Sequence, residues 1–522
     1  MRFLPHLVLV LCSVQLIAQP AGFTQIEDAD EHLKHKNYLM AIPLYKKELQ
    51  KDPDNIKAVY RLGICYVNSR VNRELAIPLL ERASVHPKIE AEVWWHLGRA
   101  YHLTNRIDEA IDCFQKYGAL DPKHLVEAEK KIQECKNALV FMRTNSTVTF
   151  KNLGPTVNSS EPDYNPFVNQ EETFLVFTSR RKENVGGKNL EMDGYRNSDV
   201  WTCEAGEGHW NPAMNAGRGI NSPLDEQVTG MNPDGNELYL YVDRIEKVGD
   251  LYVSIRQRSG QAFPKAQPFE NRINQQFESS GCISMEGDVM FISRKSLIGN
   301  NTDLYISRKL PNGHWGEPLR LPEIINTPYN EDMPYLSYDG KTLYFASQGH
   351  TSMGGFDLFR TTWDPYLNTF TPPENLGFPI NSTDDDLSIS VTADGHYAYV
   401  SSFRPNGLGD LDLYRVRLST TDPIAVVYNG QIFYNDTVNA PPPHYTGSII
   451  VKDLKTHYEY TYIPHSKTGK FILALPAGRY RITVFAKGCE KHEEDILVED
   501  VGKRKQELPL KLIVKTIPKS GT

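Results

Sequence analysis

The sequence predicts a multidomain protein: an all-α helical solenoid, then a β-propeller of five blades, with six as the alternative, and then a β-sandwich. Three observations predict this order. The segment from Thr24 to Met142 has apolar residues at helical spacing and repeats every 35 residues, whereas residues 144–418 repeat every 52 to 63 residues and alternate like strands. After Pro423 a different all-β pattern begins. At 522 residues the chain has room for about three or four domains.

The amino terminus is typical of an exported protein. Arg2 precedes an apolar run from Leu7 to Ala18, which is too short to cross a bilayer and predicts a signal peptide over residues 1–18. Cys12 raises the alternative of a lipoprotein, but Leu11 stands where a lipid-attachment signal has Gly, Ala or Ser, and this favours plain secretion. No second apolar stretch is long enough to span a membrane. We therefore expect a soluble, exported mature protein, and the lipidation of Cys12 stays open.

Charge and motif content argue against several classes of function. The formal net charge of -8 is mild for this length, whereas nucleic-acid and anionic-membrane binders carry a basic excess. The sequence contains no Gly-x-Ser-x-Gly, His-Glu-x-x-His, phosphate-binding glycine loop or paired cysteine ligands. The run of aspartates at 384–386 lacks the spacing of a calcium loop and is expected to form a solvated turn. We therefore predict no enzyme activity, no catalytic residue, no cofactor and no metal site.

The helical region repeats small and aromatic residues at a fixed distance. Gly63 and Gly98 lie 35 residues apart, and so do Tyr66 and Tyr101. The pattern Leu-Gly-x-x-Tyr at these positions resembles the tetratricopeptide repeat, in which the small residue lets two helices approach closely. The resemblance implies a domain over residues 19–142, with three repeats and a capping helix.

A tetratricopeptide array exposes a concave face that commonly holds a peptide or a partner helix. In the family frame Trp94 takes a core position, so Trp95, about 100° further round the helix, is expected to point into the groove as a binding anchor. The alternative is that Trp95 packs on the capping helix or on the propeller. The frame assigns seven residues to the partner-binding face: Lys57, Tyr60, Ile64, Asn68, Trp95, Arg99 and His102.

Each unit of the β region combines a lead-in asparagine, a turn, an alternating strand, and an aspartate followed by an apolar and usually an aromatic residue. These units resemble the WD40-like PD40 repeats of TolB-type propellers. An aspartate present in every unit is expected to hydrogen-bond at a strand end, because chemistry resides at one site and not at five. The asparagines are Asn158, Asn221, Asn274, Asn326 and Asn381, and the structural aspartates are Asp199, Asp250, Asp303, Asp357 and Asp412.

Closure of the ring is predicted from a second internal copy. Residues 149–158 copy residues 369–381, which precede the last unit. Propellers protect their strand edges by fastening the last blade with a strand from the other end of the repeat region. Residues 146–154 are therefore expected to supply the outer strand of the last of five blades, in a propeller over residues 143–420. A sixth blade built from the insertion at 182–196 is the alternative.

The carboxyl-terminal segment has the pattern of a small β domain. Between Gly469 and Val484 two alternating strands flank Pro-Ala-Gly, and this predicts a hairpin. The stretch resembles the carboxypeptidase regulatory-like fold, a transthyretin- or immunoglobulin-like sandwich. The resemblance implies a spacer or binding domain over residues 421–515, followed by a tail at 516–522.

The order of these segments resembles periplasmic accessory proteins of the Bacteroidetes type IX secretion and gliding machinery, of the PorE type, without their OmpA-like domain. The resemblance implies a periplasmic scaffold or adaptor that docks protein partners of an envelope complex, with an indirect association with peptidoglycan. One alternative is a binder of glycan or peptidoglycan fragments, marked by exposed Trp and Tyr at the propeller mouth. Another is a propeller-based hydrolase or lyase, marked by a cluster of His, Asp and Arg there. The sequence leaves the partners and the oligomeric state open.

Overall fold

The structure is a computed structural model, and it divides the chain into two compact units, Met1–Leu418 and Ser419–Thr522. The predicted signal peptide, with Cys12, lies outside the described residues. No helix in the described part combines the length and the apolar character needed to cross a bilayer. The described residues are 28–144, 148–188, 190–206, 208–243, 249–405, 407–418, 426–435, 447–454, 459–465, 468–475, 478–498 and 507–517.

Helices open the first unit, and each packs against the next along the chain. Six of the seven described α-helices form three successive pairs, and the seventh covers the last pair. The repeated glycines allow this packing, because a Cβ at Gly63 would lie 2.7 Å from Leu80 Cδ2 and one at Gly98 would lie 2.8 Å from Phe114 Cε1. The helices are α1 Ala29–Lys34, α2 Tyr38–Lys51, α3 Ile56–Asn68, α4 Ala76–Ser84, α5 Glu92–Leu103, α6 Ile107–Leu120 and α7 Leu125–Arg143.

The described part of the first unit continues as five antiparallel sheets of four or five strands, here called the five-sheet region. The sheets have the strand orders β2-β3-β4-β5, β6-β7-β8-β9, β10-β11-β12-β13, β14-β15-β16-β17 with β18 on β16, and β1-β21-β20-β19. The strands are β1 Thr149–Asn152, β2 Asp163–Val168, β3 Phe174–Ser179, β4 Asp199–Glu204, β5 Met214–Asn215, β6 Glu226–Met231, β7 Glu237–Val242, β8 Asp250–Ile255, β9 Gln267–Pro268, β10 Glu278–Ile283, β11 Val289–Lys295, β12 Thr302–Arg308, β13 Leu319–Arg320, β14 Glu331–Leu336, β15 Thr342–Ser347, β16 Asp357–Asp364, β17 Thr369–Phe370, β18 Glu374–Asn375, β19 Ile389–Val391, β20 Tyr397–Ser402 and β21 Asp412–Arg417.

The sheets follow one another in a closed succession. Strand β6 packs on β2, β10 on β6 and β14 on β10, and the last sheet returns to the first because β19 and β20 contact β2. Between the fourth and fifth sheets, Tyr335 Oη donates to Val391 O at 2.9 Å. The predicted strand from the amino-terminal side is confirmed: Thr149–Asn152 pairs with β21 in antiparallel register, with Thr149 opposite Arg417 and Asn152 opposite Tyr414. We call this pairing the ring seam.

The repeated asparagines tie neighbouring segments through the backbone. Asn326 Oδ1 accepts from Leu304 N at 2.8 Å, and its Nδ2 donates to Leu304 O at 2.9 Å. At the ring seam Asn158 does the same with Leu413, at 2.9 Å and 3.1 Å. One amide side chain therefore satisfies both backbone groups of a buried strand residue, which explains an asparagine in each unit.

Each repeated aspartate is the first or, in the case of Asp303, the second residue of the third strand of its sheet, and each is buried. Asp412 Oδ2 accepts from the backbone N of Leu408 and from Asn152 Nδ2, both at 2.7 Å. Asp357 Oδ2 makes the corresponding contacts with Met353 N at 2.9 Å and Asn375 Nδ2 at 2.7 Å. These carboxylates hold a loop and an outer strand at the strand end.

The second unit has two sheets, β25-β22-β28 and β24-β23-β26-β27, whose buried side chains share one hydrophobic cluster. The hairpin predicted between Gly469 and Val484 is wrong, because β25 and β26 pair in different sheets. Both strands bury alternate side chains in the common core, and alternation alone does not tell a hairpin from a crossover. Residues 476 and 477, the predicted turn, lie outside the described residues. The strands are β22 Val426–Tyr434, β23 Gly447–Asp453, β24 Glu459–Tyr462, β25 Lys470–Leu475, β26 Gly478–Ala486, β27 His492–Val498 and β28 Glu507–Val514.

Candidate functional site

Ion pairs join the helical region to the five-sheet region. Arg70, two residues after α3, places Nε 3.2 Å from Asp384 Oδ2 and Nη1 2.9 Å from Asp410 Oδ1. Arg73 Nη2 lies 2.8 Å from the same oxygen of Asp384. Burial alone would raise the pKa of Asp384, but the charges of Arg70 and Arg73 outweigh it and lower this pKa to about 2. We call these four residues the junction cluster.

The sequence predicted a solvated turn for the aspartates at 384–386, but only Asp385 of the three is exposed. Asp384 belongs to the junction cluster, and Asp385 Oδ1 accepts from Phe356 N at 2.9 Å. Asp386 is buried, and its Oδ2 accepts from Ser382 N at 2.6 Å. Burial raises the pKa of Asp386 to about 7. The sequence suggested a solvent-exposed run of charges because the counter-ions of Asp384 lie more than three hundred residues earlier in the chain.

A cavity of about 390 Å³ lies beside the junction cluster, between the helical region and the first and last sheets; we call it the junction cavity. Tyr195 Oη donates to Asp410 Oδ2 at 2.5 Å at its wall. Arg180 is held by Asp193 through two hydrogen bonds of 2.6 and 3.2 Å. The helical region contributes Lys36, Tyr38, Leu39, Asn68, Ser69 and Arg70, and the five-sheet region contributes Pro162, Tyr164, Asn165, Arg180, Asp193, Tyr195, Asp385, Leu387, Ser401, Asp410 and Leu411.

The seven residues assigned to a partner-binding groove do not form one open surface. Asn68 lines the junction cavity and accepts from Arg99 Nη1 at 2.9 Å. His102 is buried, hydrogen-bonds the backbone of Met353 in the five-sheet region, and has its pKa lowered to about 3 by burial. Asn68 and His102 therefore face the chain's own five-sheet region, and Arg99 lies near the charges of Asp384 and Asp385 there.

The other four predicted groove residues lie further from this junction. Trp95 packs its ring on α6, with ring centroids 5.5 Å from both Phe114 and Tyr117, so it is not the free groove anchor that the sequence predicted. It packs on the second helix of its own repeat, which neither predicted alternative named. Tyr60 meets His96 edge to face, Ile64 is half-buried and Lys57 is exposed. A partner-binding role for these last three stays a prediction.

A second, open depression lies on the five-sheet region between the third and fourth sheets. Its volume is about 940 Å³ and its exposed apolar residues include Ile298, Ile324 and Tyr329, with Pro328, Pro372 and Pro373 beside them. Helix α7 reaches it, because Lys130 Nζ lies 4.5 Å from the centroid of the Tyr329 ring. We call this depression the open groove.

Sequence reasoning missed the residues that build the junction. Arg70, Tyr195 and Asp410 follow no repeat, and Asp410 has no counterpart at the same place in the other units. The signal that was present is the insertion after β3, which carries Asp193 and Tyr195 and occurs in the first unit alone. Among the described residues, no cluster of three His, Cys, Asp or Glu side chains is arranged to hold a metal ion.

Sequence comparison supports the helical assignment. Residues 91–124, which cover the third helix pair, match the tetratricopeptide repeat family. This confirms the resemblance for that part of the chain. The comparison with curated proteins finds no match.

Solved structures with a similar fold include a TolB-type protein from Agrobacterium tumefaciens, which is 13% identical. The similarity covers 52% of this chain and 96% of that one, with a TM-score of 0.28. A GH62 hydrolase in complex with xylotriose is 13% identical over 53% of this chain and 99% of its own, with a TM-score of 0.33. The GH32 β-fructofuranosidase of Bombyx mori is 11% identical over 72% and 94%, with a TM-score of 0.34. One of these similar structures is a TolB-type protein, the kind of protein whose repeats the sequence resembles.

These structures correct one prediction. The absence of short catalytic motifs led to the prediction that the chain is not an enzyme, yet the similar structures include two glycoside hydrolases. Propeller enzymes assemble their sites from loops that are distant in sequence, so a search for short motifs does not exclude catalysis. The prediction of no enzyme activity is therefore wrong as an inference from motifs.

Proposed function

We propose that the protein is a periplasmic scaffold that docks protein partners of an envelope complex, of the kind that serves type IX secretion or gliding. In this proposal the five sheets are blades of a closed propeller, residues 421–515 form a regulatory-like sandwich, and the chain is a relative of PorE-type accessory proteins. The tetratricopeptide match supports protein–protein interaction as the task of the helical region.

The observation that carries the proposal is the open groove. Ile298 is 81% exposed at its edge, and Ile324 and Tyr329 are each more than a third exposed. Contiguous apolar surface of this kind marks a binding site, since covering it with a partner removes it from water. Proline-rich walls and a tyrosine suit an extended peptide segment with apolar side chains.

The position of the groove also supports docking. Lys130 of α7 stands over Tyr329, so the helical region touches the edge of a groove that is lined by residues of the third and fourth sheets and their loops. The junction cluster joins the helical region to the five-sheet region with partly buried ion pairs. A partner segment would therefore meet a preformed surface, which lowers the ordering cost of binding.

The proposal is tested by affinity purification from an envelope extract with the wild-type chain and Ile298→Asp. A charge at this exposed position leaves the fold intact and opposes burial by an apolar partner segment. We expect a stable partner with the wild type and at least about tenfold less of the same partner with the variant.

Leu367→Asp is the matched control, because Leu367 is 73% exposed in the hairpin that follows β16 and does not line the groove. This control is expected to retain the partner. Equal recovery with both variants would place the docking surface elsewhere, and recovery of no partner with the wild type would contradict the proposal.

A further inference from the structure

The junction cavity has the location and size of a small-molecule site. It is bounded by the helical region on one side and by the first and last sheets on the other, and its volume of about 390 Å³ lies within the range of about 300–1,000 Å³ for ligand pockets. Pockets at the boundary of two domains are frequent binding sites. This cavity is separate from the open groove, so its occupation does not depend on the proposed function.

The charges that line the junction cavity balance. Three cationic side chains face three carboxylates, so the formal charge of the lining is zero. Arg70 is neutralised by Asp384 and Asp410, and Arg180 by Asp193. A phosphate or a free amine would meet no surplus of opposite charge there, so the lining favours a neutral ligand. The six residues are Lys36, Arg70, Arg180, Asp193, Asp385 and Asp410.

The same lining offers hydrogen-bond donors and acceptors together. Guanidinium and amide groups donate, while carboxylates and amide oxygens accept. Several of these groups are held in place, since Asp193 binds Arg180 twice and Asp410 accepts from Tyr195. A ligand that both donates and accepts at adjacent atoms is satisfied by such a wall without a large reorganisation.

Aromatic surface completes the cavity. Tyr38, Tyr164 and Tyr195 line it and are half-buried, so each exposes part of its ring to the interior. An aromatic ring offers a flat apolar face and a polar tip in one side chain. Polyhydroxylated rings have the complementary character, with apolar C–H faces and polar edges. We propose that the junction cavity binds a neutral carbohydrate of the size of a mono- or disaccharide.

Binding at this place would stabilise the junction. The ligand would contact Asn68 and Tyr38 from the helical region and Tyr195 from the five-sheet region, which are all present only when the two regions are docked. A ligand that binds the docked state and not the unfolded chain raises the melting temperature, and the stabilisation grows with the logarithm of the ligand concentration above the Kd. Thermal stabilisation is therefore a second readout besides direct binding.

The test is titration calorimetry and thermal unfolding of the full chain with cellobiose, maltose and N,N′-diacetylchitobiose. Galactose, galacturonate and galactosamine form a matched set that differs in charge. We expect saturable binding of at least one neutral disaccharide, with a rise in melting temperature, and binding of galactose at least about tenfold tighter than of its two charged counterparts. Absence of saturable binding by every neutral sugar would overturn the proposal, and so would tighter binding of a charged counterpart.

Tyr38→Ala removes one aromatic face, and Tyr366→Ala is the matched control, since Tyr366 is 96% exposed and does not line the cavity. We expect at least about a tenfold loss of sugar affinity with Tyr38→Ala and no change with the control. Equal affinity in Tyr38→Ala and the wild type would overturn the assignment of the sugar to this cavity.

Asp385→Asn changes the charge of the lining by one without changing its shape. The amide keeps the oxygen that accepts from Phe356 N, so the loop is expected to fold as before. The lining becomes cationic, and the preference for galactose over galacturonate is expected to fall about tenfold. An unchanged preference would show that the charge balance does not select the ligand and would contradict the proposal.

Discussion

Two seams in the first unit join residues that are distant in sequence, and they are built from different chemistry. The ring seam joins Thr149–Asn152 to β21 through backbone pairing and amide side chains, one of which donates to the Asp412 carboxylate. The junction joins Arg70 and Arg73 to Asp384 and Asp410 through charges. The asparagine–backbone hydrogen bonds of the ring seam recur in every sheet, whereas the junction cluster occurs once.

Because of this difference, we expect a bound ligand to affect the two seams differently. The strength of the backbone and amide hydrogen bonds in the ring seam changes little with pH or with a bound ligand. The junction cluster lies at the wall of a cavity, and its carboxylates and guanidinium groups are satisfied by one another and by few other groups. The ring is therefore the rigid frame, and the junction is the place at which a ligand can alter the stability of the first unit.

The largest expected effect comes from breaking the junction cluster. Arg70→Ala leaves Asp384 and Asp410 partly buried with fewer counter-ions, and breaking such a pair from one side costs about 3–5 kcal/mol. We expect the free energy of unfolding of the first unit to fall by about 3 kcal/mol in urea denaturation followed by tryptophan fluorescence.

Arg360→Ala is the matched control. Arg360 forms an ion pair with Glu374 at 2.9 Å, but both side chains are more than half exposed. An exposed pair contributes less than about 1 kcal/mol, so the control is expected to unfold nearly as the wild type does. Equal losses in the two variants would mean that the junction is solvated and would remove the distinction between the seams.

A smaller effect is expected at the ring seam. Asn158→Ala leaves the buried backbone N–H of Leu413 without its partner and removes one of the two donors to the C=O of Leu413, which Leu153 N still contacts, at a cost of about 2 kcal/mol. Asn326→Ala removes the same pair of bonds to Leu304 inside the ring and should cost the same amount. A clearly smaller loss for Asn158→Ala, measured by urea denaturation, would indicate that the seam opens in solution.

The ring seam could be predicted because it copies a repeat. Residues 149–158 duplicate residues 369–381, although they precede the first unit. This copy predicted the strand that pairs with β21 in the last sheet. A second repeat went unnoticed, although it was present: Glu226 and Glu331 each follow a lead-in asparagine by five residues and begin the first strand of their sheets. Each accepts a backbone N–H four residues earlier, at 2.8 Å.

The junction could not be predicted from spacing. Arg70 and Asp410 lie in loops of the helical region and the five-sheet region and belong to no repeat, so their pairing depends on how two folded surfaces meet. The groove assignment failed for the same reason. The family frame places Asn68, Arg99 and His102 on a concave face, but it does not predict which other part of the chain covers that face. In the second unit, the alternation of apolar and polar residues predicted the strands β25 and β26, but it did not predict that they belong to different sheets.

The junction and the ring also carry carboxylates whose pKa values shift in opposite directions. At the junction, burial alone would raise the pKa of Asp384, but Arg70 and Arg73 lower it to about 2. In the ring, burial raises the pKa of Glu331 to about 7, against the opposing effect of its hydrogen bonds with Thr327 and Ser347. A lowered pKa stabilises the fold above about pH 4, and this contribution is lost as the pH falls through about 2. A raised pKa stabilises the fold below about pH 4, and that contribution is lost as the pH rises through about 7.

The smallest predicted effect separates these two contributions. In Glu331→Gln the ring group no longer titrates, so the fall in melting temperature between about pH 5 and pH 8 should shrink by about 2 °C relative to the wild type. Asp384→Asn should leave that interval unchanged and instead weaken the loss of stability between about pH 4 and pH 2. Differential scanning calorimetry over both intervals measures the two slopes in the same samples. If Glu331→Gln kept the wild-type slope above pH 5, Glu331 would not be a group that titrates there, and the contrast drawn between this ring carboxylate and Asp384 would be wrong.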